Sequence, residues 1–159
     1  MLGLSTSASA IDAGRPYESK VVVVNIERVL GSSAPALEAN RRIADEFNPR
    51  ERELEQQGLR LRQMNLKLEQ DAPRLSERDR VVRSREIEDL ERTLARRRAQ
   101  FREDLAERQA KARAAVASRV YEVIKTLPQE QQVDLVLINT VWHSPRVDVT
   151  DKVLRMLER

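Results

Sequence analysis

The chain has 159 residues and a net charge of +3; 35% of it is charged and only five residues are aromatic, Tyr17, Phe47, Phe101, Tyr121 and Trp142. So little bulk cannot fill a thick interior, and a charged fraction well above the roughly 25% of an average globular protein points to an elongated chain with one small compact part. With no cysteine, one histidine and glycines scattered at positions 3, 14, 31 and 58, disulfides, thiolate sites, histidine metal clusters and a phosphate-cradling loop are excluded.

Residues 1–19 carry Ser, Gly and Pro without periodicity, and their triplet Ala8, Ser9, Ala10 fits the small-residue pattern of a secretory cleavage site. The segment is read either as a signal remnant or as a disordered terminus. Residues 20–26, KVVVVNI, form a β-branched run of strand length, apolar on both faces and so expecting cover on both sides. After a link at Gly31, Ser32 and Ser33, a helix is expected over about 36–72, with a serine cap and Pro35 in its first turn.

Phe47, Leu54, Leu61 and Leu68 recur every seven residues along one seam, while Pro49 and Gly58 predict a kink or local flaw near Pro49. Asp71, Ala72 and Pro73 indicate a turn, and Ser76 with Asp79 caps a second helix over about 76–127 that stops at Pro128. Its apolar residues, from Ile87, Leu90 and Leu94 through Phe101 and Leu105 to Val116, Val120, Val123 and Leu127, repeat at three and four. At about 1.5 Å per residue the helices measure near 55 and 75 Å, and so short a connection folds them into an antiparallel hairpin. Residues 133–138 read as a second strand and Val141 with Trp142 as a third, around a turn at Asn139 and Thr140. Thr150 caps a last helix that buries Val153, Leu154 and Leu157.

The fold class is therefore α+β, mainly α. A small β-sheet or barrel body, residues 20–35 and 112–159, is expected to mediate oligomerisation and to carry a long coiled-coil hairpin arm, residues 36–111, with its tip near 72–76. Helices cover only one face of so small a sheet, and the other face and the strand edges promote association with a second copy. Val21, Val23, Leu135, Leu137 and Trp142 are the expected contact residues. The alternative is a monomer in which the first strand pairs with residues 133–138 under the last helix.

The charge is mixed, 29 positive groups against 26 negative, as on a solvated helix surface. Nucleic acid is not an expected partner, because Glu91, Glu103 and Asp104 blunt the cluster Arg96, Arg97, Arg98 and Arg102 and no aromatic residues interleave it. The carboxylates Glu86, Glu88, Asp89 and Glu91 lie beside Arg85 and Arg92 as solvated pairs, and His143 reads as a surface or edge-strand residue. No catalytic constellation, cofactor or metal site is expected. No run approaches the ~18 apolar residues of a membrane span.

The arm is net basic, with 21 Arg and Lys against 16 Asp and Glu over residues 41–119. Its tip holds Arg74, Arg78, Arg80, Arg83 and Arg85 against Glu77 and Asp79. Such a surface attracts acidic chains or anionic lipid head groups within a Debye length of ~8 Å. Leu59 and Leu66 lie two places off the seam; either they widen the hairpin contact, or they face outward and offer weak apolar contacts to an unfolded chain.

Two terminal segments carry a resemblance. Residues 20–30, KVVVVNIERVL, resemble the opening strand of the Skp/OmpH family of periplasmic chaperones, which runs from a basic residue through valine and isoleucine to an Asn or Asp. Residues 133–157 are similar to the family's closing segment, with Asp134, Trp142, Asp148 and Thr150 in the places of its Asp, its aromatic and its Asp-apolar-Thr signature. The chain departs from better-known members in favouring arginine over lysine. The resemblance implies a homotrimer with a small β-barrel body and three helical arms around a cavity. It implies an ATP-independent holdase for unfolded outer-membrane proteins in the periplasm, and the basic tip adds anionic lipid or lipopolysaccharide surfaces as further partners; a scaffold binding one defined partner is the alternative.

Overall fold

A computed structural model describes residues 19–159, so the expectations for the leading segment lie outside the described residues. The valine run forms strand β1, Val21–Val24, and the later apolar run forms β2, Leu135–Ile138. They pair in parallel, Val21 with Leu135 through Val24 with Ile138, as a two-stranded sheet. Val22, Val23 and Val24 are buried, which bears out the cover expected on both faces of β1.

The chain leaves β1 through a helix rather than a link. Helix α1, Ile26–Ser32, starts at Asn25, whose side chain accepts the N–H of Arg28, and it buries Ile26 and Val29. Helix α2, Ala34–Asp71, begins at Ser33 with Pro35 in its first turn. Ser33 caps by its extended backbone alone, because its buried hydroxyl has no partner. Both Pro49 and Gly58 lie inside the unbroken helix.

A short 3-10 turn, Ala72–Arg74, reverses the chain where Pro73 was expected to. Helix α3, Glu77–Gln131, is capped by Ser76, whose hydroxyl accepts the Asp79 N–H at 3.1 Å. This helix does not stop at Pro128. Proline removes only its own N–H from the ladder, and the end is set by Gln132 in the left-handed region (φ 52°), with its N–H on the Pro128 carbonyl. With 38 and 55 residues, α2 and α3 reach about 57 and 83 Å.

Among the described residues the expected third strand is also absent. Asn139 takes a positive φ of 55° and turns the chain away from the sheet, so Val141 and Trp142 stand in solvent. The chain returns through a 3-10 turn, Pro145–Val147, and it is Asp148 that bridges to Val23 on the far side of β1. Helix α4, Thr150–Leu157, closes the body and buries Val153 and Leu157, with Leu154 packed at the core's margin. Its cap residue is Val149; Thr150 is buried and turns its hydroxyl to accept the Asn25 N–H instead. The core joins Val24, Ile26, Val29 and Ala36 to Val116, Val120, Leu127, Val153 and Leu157.

Candidate functional site

Two surfaces qualify. The first is the arm, where α2 and α3 zip together. Phe47 and Phe101 meet edge to face with centroids 5.6 Å apart, and the Arg50 guanidinium lies over both rings while pairing with Asp104 at 2.6 Å. Glu46–Arg108, Glu53–Arg97 and Asp71–Arg83 also cross between the helices, stepping along them in opposite senses as an antiparallel hairpin requires.

Each seam residue named from the sequence is shielded, and so are Arg50, Gln57, Met64 and Asp71, three positions further on. These complete the inward stripe at alternating three- and four-residue spacing. Sequence reasoning passed over all four, and three of them break the apolar pattern because they are polar. On α3 the partners are Ile87 and Leu94, both buried, and Phe101.

Leu59 and Leu66 are 54% and 56% exposed, so within one chain α3 does not cover them. At the tip Arg80 pairs with Glu77 along its own helix and Arg83 with Asp71 across the hairpin. Among the described residues Arg74, Arg78 and Arg85 make no ion pair, and all three are exposed. Val81 and Val82, not singled out from the sequence, are exposed between these arginines. The signal was there: consecutive helical residues diverge by about 100°, so both valines cannot face the seam.

The second surface is β2 and the loop after it. Leu135, Leu137 and Ile138 are exposed along with fully exposed Val141 and Trp142, the latter at 82%. Among the described residues β2 has β1 as its one neighbour, and none of them pairs with its other edge. Val21 is half-buried, whereas Val23 is only 3% exposed; it belongs to the chain's own core and cannot be an outward contact.

A polar knot ties this surface to the body. Thr150 donates its backbone N–H to Asp148 Oδ1 at 2.8 Å and accepts the Asn25 N–H at 2.9 Å. The His143 ring spans Thr140 Oγ1, 3.0 Å from Nδ1, and Asp148 Oδ2, 3.2 Å from Nε2. The Thr150 hydroxyl and backbone N–H, opposed by burial and helped to a lesser degree by His143, hold the Asp148 carboxyl below its ordinary value. The described residues contain no cluster able to hold a metal ion and no helix long and apolar enough to cross a membrane.

The family model described as outer membrane protein (OmpH-like) matches residues 20–157, spanning both surfaces and the whole hairpin. The chain belongs to the OmpH-like family. It is similar to the chaperone protein Skp of Yersinia enterocolitica, 24% identical over 99% of this chain and 94% of that one. The chaperone protein Skp of Photorhabdus luminescens is 25% identical over 95% and 93%. A solved structure described as a candidate OmpH-like outer membrane chaperone from Caulobacter crescentus CB15 superposes with a TM-score of 0.76 at 16% identity, over 99% of this chain and 90% of that one, and supports the fold. Membership in this family makes the chain a chaperone rather than an enzyme. It also bears out the mainly helical fold class with a long hairpin arm read from the sequence.

Proposed function

We propose that the chain is an ATP-independent holdase that keeps unfolded outer-membrane proteins from aggregating in the periplasm, gripping them between helical arms held together by a homotrimeric body. The observation that carries this reading is the arm's chemistry: isolated exposed apolar side chains, Leu59, Leu66, Val81 and Val82, on a net basic surface. Many shallow contacts suit a client without fixed shape, since no single one demands a defined partner surface. The unpaired Arg74, Arg78 and Arg85 draw acidic clients from a distance and give the tip a hold on anionic lipid or lipopolysaccharide surfaces, while Arg80 and Arg83 are partly neutralised by Glu77 and Asp71. The body contributes Leu135, Leu137 and Trp142 to contacts between copies, with Val21 at the margin.

The test measures suppression of aggregation of an unfolded outer-membrane protein at low and high salt, for the wild type and a Leu59→Ser, Leu66→Ser double variant. Capture should slow as salt rises, and the double variant should remain helical yet protect poorly. Salt-indifferent capture removes the electrostatic part of the reading, and normal protection by the double variant removes the apolar part.

A further inference from the structure

His143 is the chain's one histidine, and neither the fold nor the arm accounts for it. Its two ring contacts fall on either side of the most exposed apolar pair in the body: Thr140 and His143 bracket Val141 and Trp142 in sequence, and Asp148 anchors the far side. A carboxylate only accepts, so Nε2 donates its N–H to Asp148, while the Thr140 hydroxyl, which can both donate and accept, meets Nδ1. Both ring nitrogens are thereby satisfied. Asp148 is itself fixed by Thr150, and Thr150 by the backbone of Asn25 at the start of α1. The loop is thus tied, link by link, to the rigid core.

Val141 and Trp142, exposed together on a loop tied to the core, form an apolar surface that calls for an occupant. Residues 135–145 contain no Lys, Arg, Asp or Glu, in a chain of which 35% is charged. The edge of β2 away from β1, which no described residue pairs, opens into that same segment. A neutral apolar edge with a neutral apolar prong beside it is complementary to another neutral edge, so a second copy meets it without like-charge repulsion.

We propose that His143 is a positioning residue: it clips the loop so that Val141 and Trp142 stand pre-ordered as the contact that docks against a second copy of this chain. The proposal rests on the self-association put forward above and adds to it the device that readies the contact. Ordering a contact before docking removes an entropic cost that would otherwise be met at each association event, and a clip spanning two such side chains changes the dissociation constant by about tenfold.

Trp142 is the sole tryptophan and reports its own burial. Its emission and anisotropy would be recorded across a dilution series, with sedimentation velocity in parallel, for the wild type, His143→Ala, Thr140→Val and His143→Gln. Wild-type emission should shift to the blue on association. His143→Ala should require about tenfold more protein for the same shift and show lower Trp142 anisotropy when dilute, with unchanged helicity. Thr140→Val should fall between, and His143→Gln, which retains a side-chain N–H for Asp148, should recover part of the loss. Wild-type association with both His143→Ala and Thr140→Val indistinguishable from it overturns this inference alone. A wild type that remains monomeric with Trp142 exposed at every concentration overturns the self-association and the inference together.

Discussion

Gly58→Ala should stabilise the arm, although glycine 58 lies buried where the two helices meet. A Cβ built on Gly58 comes within 2.8 Å of Arg98 Nη2, so something must move. That atom is the far end of a long side chain which makes no ion pair among the described residues, and it can swing outward into solvent. The backbone at 58 is ordinary helix, and alanine gains about 0.8–1 kcal/mol over glycine in a helix interior. Setting a few tenths of a kcal/mol against this for displaced packing of Arg98 leaves a net gain of about 0.5 kcal/mol. For a chain of this size that is a rise in Tm of about 1–2 °C, readable by far-ultraviolet circular dichroism. Native-state hydrogen exchange should place the added protection in mid-arm amides. A fall of several degrees would refute the reasoning, since it would mean that Arg98 is locked across Gly58 and the helices need the missing methyl to close.

Asp148→Asn should cost stability at neutral pH. Because the folded Asp148 carboxyl titrates below its ordinary value, its contribution is full above about pH 4 and disappears as pH falls through the lowered folded value, so melts of the two proteins should converge in strong acid. Leu137→Asp and Val23→Asp should fail differently: Leu137 is 38% exposed and a charge there should yield a folded but dissociated chain by ultracentrifugation, whereas Val23 is enclosed by its own chain and a charge there should cost several kcal/mol and abolish the melting transition. Phe101→Ala removes the edge contact to Phe47 and one face of the Arg50 stack, and should lower stability by about 2–3 kcal/mol, with exchange protection lost along the arm on either side.

The hairpin could be read from the sequence because its signals are local and redundant. The seven-residue seam, Pro73 at the turn and Ser76 before Asp79 all give the same answer, and the structure has each of them in place. The valine run was equally plain. Three elements were misread where a local signal had a non-local competitor. Gly31, Ser32 and Ser33 resemble a link, but Asn25 caps a helix whose Ile26 and Val29 are pulled into the core by Val120 and Val153. Pro128 resembles a stop, but Leu127 beside it is fully buried and holds that part of the helix on the body. Val141 and Trp142 resemble a strand, but the left-handed Asn139 directs them outward, and Asp148, which no strand pattern favours, takes the bridge to β1. In the arm, Arg50, Gln57 and Asp71 were missed because inward-facing polar residues break the apolar pattern; only their cross-helix partners, Asp104 and Arg83 among them, reveal why two of them are tolerated.

The central claim is that the body holds copies together while the arm holds the client, and its most direct test removes the arm. Residues 48–108 would be replaced by a short turn joining the level of Glu46 and Phe47 to that of Gln109, where the helices already lie side by side through the Glu46–Arg108 pair. The shortened chain and the full one would be compared by sedimentation velocity and by suppression of aggregation of an unfolded outer-membrane protein. The account predicts a shortened protein that keeps the core of Val24, Val29, Val120, Leu127 and Val153, sediments as the same oligomer as the full chain, and gives no protection. Full protection by the armless protein, or its failure to fold and associate, would contradict the account.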